Sequence, residues 1–544
     1  MQLLKIDSKT RVHTGEDTMK DVYDVVVVGA GHNALTTAAY LAKTGLSVVV
    51  FEKNSWVGGG VVTRELTLPG FKHDSHSTGH IFIQGNPMIT KDELGLQSKY
   101  GLEYITPASY FTSLFPDHQV IQTFGSLEKT CESISKYSKK DAESYRNFVK
   151  KSEALLPLFE HGLFNPPTPF GSFMAFLEQS PAGRDLMGDL SKSAWDIVND
   201  LFENERVKMH FMRWASECMM APETKGTGSV LFLMCTFTHK HNAKFPKGGS
   251  GVLSDALVRC IEDNGGEVYT DSEAVKINVV NGKAKSVLLK NGVTVEGRKS
   301  IVASIHPHLL NDFIEGVLDE RISSLLSKVS LSDYAAINTH YALNEPPKYI
   351  AETNIDDSFA VETQPGSMEE FRKVFDAYRY REIPEHLGLL SICTTNADPS
   401  RAPDNKATLY LYTFVPGVIK GGKLSDWKSI GESVADKMLQ GIRKVTENMG
   451  DDNILGRAIE TPYDFQNHNP SFQNGDIIGA ALVIDQYMGR RPFPEMANYT
   501  VPDIGSLYIV GPFMHPGGGV IGGGRPAAIK ILDDLNIEST FIGQ

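Results

Sequence analysis

The stretch Tyr23 to Lys53 constrains the fold more than any other part of the 544-residue chain. Tyr23-Asp24-Val25-Val26-Val27-Val28 is a β-branched run, the pattern of a strand buried on both faces of a parallel sheet. It passes straight into Gly29-Ala30-Gly31-His32-Asn33-Ala34. Leu35 to Thr44, rich in Ala and Leu, predicts a helix that ends at Gly45. Ser47 to Glu52 (SVVVFE) predicts a second buried strand. The whole is a βαβ unit of about 30 residues.

Each glycine has a physical reason. Gly29 permits the tight turn, and Gly31 lets the backbone approach a pyrophosphate. Ala34 is a small residue at the third place, where helix packs on strand. The helix N-terminus offers free N–H groups to phosphates. Glu52 lies 21 residues after Gly31. A carboxylate there accepts hydrogen bonds from both ribose hydroxyls of an adenosine and repels the 2′-phosphate of NADP. An ordinary ligand-free βαβ unit is the alternative; the register of strand, glycines, helix and Glu52 argues against it.

The fingerprint does not choose between NAD and FAD. Two other clusters favour the longer cofactor. Gly58-Gly59-Gly60 is followed by Thr63 and Arg64, and lets the chain pass close under the middle of an extended ligand. More than 450 residues later, Leu507 to Val510 predicts a strand that runs into Gly511, Gly517-Gly518-Gly519-Val520 and Gly522-Gly523-Gly524, where a helix begins. The dipole of such a helix suits the electron-rich N1–C2=O edge of a reduced flavin.

Elsewhere the pattern alternates. Leu127 to Met220 reads as mostly helical, with Asp196 to Met220 close to one helical period. Leu155 to Leu177 is apolar but broken by Pro157, Pro166, Pro167 and Pro169. Gly251 to Asn264 predicts a helix. Short strands follow at 267–270, 274–280, 285–290, 293–296 and 299–304, with Asn281-Gly282 and Asn291-Gly292 as hairpin turns. Strands are also predicted at 334–343, 389–394 and 408–414, and a helix at 425–449 with Ser425 as its N-cap. The fold class expected is α/β: a Rossmann-like FAD-binding domain, parallel sheet plus β-meander, from residues 21–100, 240–310 and 500–544. An α+β substrate domain is interleaved with it, mostly helical in 101–239 and mixed in 311–499.

Composition narrows the function. Hydrophobic residues at 41% and charged residues at 22% exclude a disordered chain. The net charge of −13 disfavours a nucleic-acid partner. Five scattered cysteines without a C-x-x-C pair read as reduced thiols and remove a redox-active disulfide. Met1 to Lys20 lacks the apolar core of a secretory signal, and no run of 18 apolar residues occurs. The location expected is cytoplasmic, with peripheral contact to a membrane left open.

Five stretches carry a likeness: Val25–Lys53, Val57–Asp74 (VGGGVVTREL, then PGFKHD), Phe245–Leu257 (FPKGGSGVLSDAL), Gly265–Val275 and Leu507–Ala528. In them the chain resembles the phytoene desaturase-like branch of the flavin amine oxidase superfamily, and within it the pyridine nucleotide-disulphide oxidoreductase domain-containing group. The resemblance covers both ends and the middle. Residues 100–240 and 305–500, substrate-facing in this superfamily, match little. It implies non-covalent FAD. It maps cofactor contacts onto Gly29, Gly31, Asn33, Ala34, Glu52, Lys53, Gly59, Gly60 and Arg64, onto the backbone of Val275 at the adenine, and onto Gly511, Gly518, Gly519 and Val520 near the flavin ring. Ala34 in place of the third glycine is a tolerable departure.

No second G-x-G-x-x-G unit is visible, so electrons are expected to leave the reduced flavin for oxygen, a quinone or another carrier. By the family pattern, the stretch after Pro69-Gly70-Phe71 passes the flavin, which makes His76 or His80 a candidate general base or polar anchor. Bonds to backbone or solvent are the plainer reading. A metal site on His73, His76 and His80 is disfavoured by Gly79 and by the flavin competing for the segment. His239 and His241 read as structural or cavity-lining, and His515 as ordering the turn. The leading reading is an FAD-dependent oxidoreductase, a desaturase, dehydrogenase or oxidase, that takes a hydride from a small apolar or amphipathic molecule onto flavin N5. A flavin-dependent isomerase or hydratase without net redox, an amine oxidase and a non-catalytic flavoprotein that serves as an interaction partner stand beside it. An NAD-dependent dehydrogenase leaves the C-terminal glycines unexplained. Leu155–Leu177 and Leu201–Met220 are expected to wall an apolar cavity, with core packing and membrane contact as alternatives.

Overall fold

The computed structural model describes residues 19–314 and 316–542. The reading of Met1 to Lys20 therefore falls, but for its last two residues, outside the described residues.

Strand β1 (Val22–Val28), helix α1 (His32–Lys43) and strand β2 (Val48–Phe51) form as the pattern requires. Gly45, just past the helix, has φ +88°. β1 lies inside the first sheet. It pairs in parallel with β2 on one side, Val25 opposite Val48, and with Thr294–Ala303 on the other. Glu267–Tyr269 extends the parallel set beyond β2. The last long strand, Ile504–Ile509, joins in parallel at Ile301 to Ala303. Ala274–Val280, Lys283–Leu289 and the start of Thr294–Ala303 form the antiparallel meander. This is the α/β arrangement that the βαβ unit implies.

Gly524 starts the last helix, Gly524–Asp534, where a Cβ would lie 2.1 Å from the Asn33 carbonyl oxygen. Without a side chain the helix sits directly on α1, and Thr37 Oγ1 donates to the Gly524 carbonyl at 3.0 Å. Beside it lies a buried ion pair. Arg525 donates to both oxygens of Glu93 at 2.7 and 2.8 Å, and Tyr40 donates to the same carboxylate. Arg525 Nη1 reaches on to the Phe164 carbonyl at 2.7 Å.

The second sheet runs in the order Ile454–Glu460, Ala335–Leu343, Ala407–Val415, Leu390–Ile392, Ser358–Thr363, Ser109–Leu114, Val120–Thr123. All nine positions of Ala335–Leu343 and of Ala407–Val415 are buried. Alternate side chains explain it. Tyr410, Tyr412 and Phe414 pack with the helices of residues 139–237, and Leu409 and Leu411 pack with Trp427, Val434 and Met438 of Trp427–Arg443.

Several expectations change. The strands expected at 293–296 and 299–304 are one strand, Thr294–Ala303, which changes partners midway across a register shift near Gly297. The helix expected over 196–220 is broken: Ala194–Leu201 ends, and Asn204 caps Glu205–Ala215 by accepting from the Arg206 N–H. Pro157 lies inside Lys139–Phe164, and the break comes at Pro166 to Pro169. Ser425 is not the N-cap: a 3-10 turn, Leu424–Asp426, precedes the helix. Ile314, Ile322, Leu326, Phe493, Met496 and Tyr499 pack in the core of the first sheet, although the expected boundaries at 310 and 500 assign them to the other unit. All five cysteines are free.

Candidate functional site

A cavity of about 970 Å³ runs from the C-terminal ends of β1 and β2 to the inner face of the second sheet. Such crevices beyond the carboxyl ends of parallel strands are where doubly wound sheets bind ligands.

Two glycine loops close its first end. Gly29 has φ +86°, and a Cβ there would lie 3.3 Å from Ser304 Cβ. Gly31 caps α1 and pairs with Gly58 in a short parallel bridge. A Cβ on Gly59 would stand 3.1 Å from Gly31 Cα, so the loops meet backbone to backbone. No side chain caps α1, and no acid lies in its first turn. The helix dipole is thus left for an anionic ligand.

Glu52 is held rigidly. Its Oε2 accepts from the Ala30 N–H at 2.8 Å, and its Oε1 accepts from the Asn54 N–H at 3.0 Å and Nδ2 at 2.9 Å. Burial raises its pKa, while these bonds favour the carboxylate. Arg64 lies over the Trp56 ring at 4.6 Å and donates to Glu460 at 2.7 Å. Burial opposes the ionisation of Glu460, yet the His340 hydrogen bond and the charges of His340, His76 and Arg64 hold its pKa down at about 2.

Gly29, Gly31, Asn33, Glu52, Lys53, Gly59, Gly60, Arg64, His76, Gly518, Gly519 and Val520 all line the cavity. Five buried polar atoms of lining residues have no hydrogen-bond partner: His32 Nε2, Asn33 Oδ1, His76 Nδ1, His468 Nδ1 and His515 Nε2. A backbone cradle, a rigid ribose-height carboxylate and unpaired polar atoms along the walls fit an extended dinucleotide.

Four expected residues are placed elsewhere. Ala34 is wholly buried in the core, where it serves helix packing. Gly511 holds its turn with φ +151°, a Cβ there meeting the Phe513 ring at 2.5 Å. Val275 is half-exposed, and Glu273 and Ala274 line the cavity in its stead. His80 is turned away: its Nδ1 pairs with Tyr104 Oη at 3.1 Å and its Nε2 with Ser250 Oγ at 3.2 Å. Burial pushes its pKa down to about 3, so it is a neutral, structural imidazole. His239, held by Tyr145 and Gly125, and His241, held by Glu160, are likewise off the cavity. His76 remains. Its ring meets Phe465 and Phe472 edge-on at 4.7 and 5.2 Å, and burial lowers its pKa to about 4. Among the described residues no cluster of three or more metal-ligating side chains occurs.

Sequence reasoning missed Ser304, Trp56, Asn469, Ser471 and Arg491, which also line the cavity. Ser304 was within reach, because it ends a predicted strand of the same parallel sheet. The others are brought in by tertiary packing from stretches without a strand–turn–helix signal.

The far half is apolar. Phe159, Leu163, Phe173 and Phe176 line it near the exposed Gly162 and Thr168, and Trp214, Tyr410 and Tyr412 line its buried end. Phe170 does not line it and lies under Arg490 at 5.6 Å.

Residues 27–90 match the family model for an NAD(P)-binding Rossmann-like domain. The chain is 28% identical to the rat pyridine nucleotide-disulfide oxidoreductase domain-containing protein 2, over 96% of each chain. It is 24% identical to the lycopene-forming phytoene desaturase of Pseudescherichia vulneris, covering 94% of this chain and 99% of that one. The solved cyclohexylamine oxidase of Brevibacterium oxydans superposes with a TM-score of 0.58 at 16% identity, over 94% of this chain and 99% of the other. The chain is therefore phytoene desaturase-like over nearly its whole length, on the fold of the flavin amine oxidases.

Proposed function

We propose that the chain is an FAD-dependent oxidoreductase that oxidises a small apolar or amphipathic molecule. One observation carries this reading: the dinucleotide cradle and the aromatic-walled chamber are a single cavity. Bound FAD supplies the two-electron acceptor. The protein does the rest. Glu52 would receive the ribose hydroxyls, the α1 N-terminus and the facing glycine loops would hold the pyrophosphate, and Gly518 to Val520 would help hold the flavin. Phe159, Phe173 and Trp214 keep water from the reacting atoms. His76, neutral at neutral pH, presents an unpaired Nδ1 that can take a proton from the substrate.

The protein should purify yellow and release FAD on denaturation. Anaerobic addition of amphipathic candidate substrates, terpenoid alcohols first, should bleach it in proportion to product formed. Colourless protein that cannot be reconstituted with FAD rejects the cofactor. Turnover without bleaching and without an acceptor identifies an isomerase instead.

The mouth supports a finer reading. Phe170–Glu178 (FGSFMAFLE) borders the opening, and Phe176 is 60% exposed there. Among the described residues no helix is long and apolar enough to cross a membrane. This short helix rests on a lipid surface, from which a lipophilic substrate enters the cavity. Phe176→Ser should abolish flotation with liposomes while shifting Tm by no more than a degree or two. Undiminished flotation removes the helix from that role.

A further inference from the structure

Glu217 is the carboxylate that, among the described residues, lines the buried end of the cavity. Aromatic rings surround that end. Trp214 stacks on Phe111 with centroids 5.9 Å apart, Tyr110 on Phe359 at 5.0 Å, and Tyr410 on Tyr412 at 6.0 Å. A carboxylate is out of place in such a chamber unless something holds it there and something uses it.

What holds it is clear. Glu217 Oε1 accepts from Arg213 Nη1 at 2.8 Å, one helical turn back. Arg213 is itself buried, stands 3.9 Å over the Phe414 ring, and turns its Nε to the wholly buried Glu362. One guanidinium thus lies between two carboxyl groups. Burial raises the pKa of both, Glu362 to about 8, and the charge of Arg213 between them opposes the rise at each. Burial first, and next the charge of Glu217, push the hydroxyls of Tyr110 and Tyr410 up, and the same two causes lead at Tyr412.

A purely structural triad would be closed. This one is open on the cavity side. A quarter of the Glu217 side chain is accessible, and Glu217 lines the cavity. A carboxylate has about four acceptor sites, and the structure shows one of them filled from Arg213.

We infer that Glu217 is a specificity-determining residue, which accepts a hydrogen bond from a hydroxyl or ammonium group at the leading end of an otherwise apolar substrate. The inference rests on the chamber being the substrate site. A plain hydrocarbon would cover the carboxylate and give it no donor, and a carboxylate substrate would be repelled. The tyrosines, which stay protonated, flank the bound group.

The test uses calorimetric titration of the FAD-loaded protein with decan-1-ol, decylamine and decanoate. The unaltered protein should bind the alcohol and the amine at least about tenfold more tightly than decanoate. Glu217→Gln keeps an acceptor but loses the charge, so the amine should weaken about tenfold and the alcohol much less. Glu217→Ala should weaken both. Equal binding of all three ligands by the unaltered protein overturns the inference, whatever the variants do. So does Glu217→Ala with alcohol and amine binding unchanged. Flavin content, measured on the same samples, separates this from the cofactor reading: protein without FAD that still prefers the alcohol to decanoate rejects the cofactor and keeps the anchor.

Discussion

Arg525→Ala should lower the stability of the fold by about 3–5 kcal/mol, because it leaves the Glu93 carboxylate buried without its cation. The magnitude follows from the asymmetry of buried pairs. Removing one partner leaves the other in a low dielectric, short of two guanidinium bonds. Urea denaturation followed by tryptophan fluorescence reads the loss. Pairing Arg525→Met with Glu93→Gln should recover most of it, since the amide still accepts from Tyr40 and carries no charge. A single-variant loss below about 1 kcal/mol would show that water reaches the pair. The same variant should hold FAD less well. Arg525 Nη1 ties the Phe164 carbonyl at the end of Lys139–Phe164, and the residues just before and after that end line the cavity.

Glu52→Ala should weaken FAD binding by roughly 10–100-fold, as expected from the loss of a charge-assisted hydrogen bond of about 1.5–3 kcal/mol. Part of the effect is indirect. The Ala30 and Asn54 N–H groups lose their acceptor, so the glycine turn that faces the pyrophosphate loosens too. Glu52→Gln, which keeps one acceptor, should fall between. Flavin fluorescence in the filtrate after ultrafiltration measures both. If Glu52→Ala retains FAD as tightly as the parent, the ribose assignment is wrong.

What the sequence makes legible is local. The β1–α1–β2 unit, its glycine turn and the two terminal glycine clusters are readable because strand period, helix period and left-handed φ belong to consecutive residues. The second sheet is less so. Ser358–Thr363 and Ile454–Glu460 become strands by pairing with partners far away in the chain. Periodicity cannot register such pairing. The histidines show the same limit. The cluster at 73–80 is dense in titratable groups, but the bridge of His80 to Lys244 turns its ring to Tyr104 and Ser250, while His76 faces the cavity. Glu217 lay hidden for a related reason: nothing near it in sequence announces that Tyr410 and Tyr412 share its chamber.

The parallel pairing of Ile504–Ile509 with Ile301 to Ala303 has a consequence for how the protein is made. The ribosome releases β1 long before the strand that completes its sheet. At about 5–20 residues per second, the more than 450 residues between them take roughly 25–100 seconds to emerge. From its own emergence, over about 200 residues or roughly 10–40 seconds, the apolar edge at Ile301 to Ala303 waits without its neighbour, and the flavin lacks the C-terminal glycine cluster. A nascent chain in this condition is a client for holding chaperones. Cellular yield should therefore respond to trigger-factor or Hsp70 supply more strongly than to flavin supply, and a stop codon even at the last strand should leave no cofactor-binding fragment.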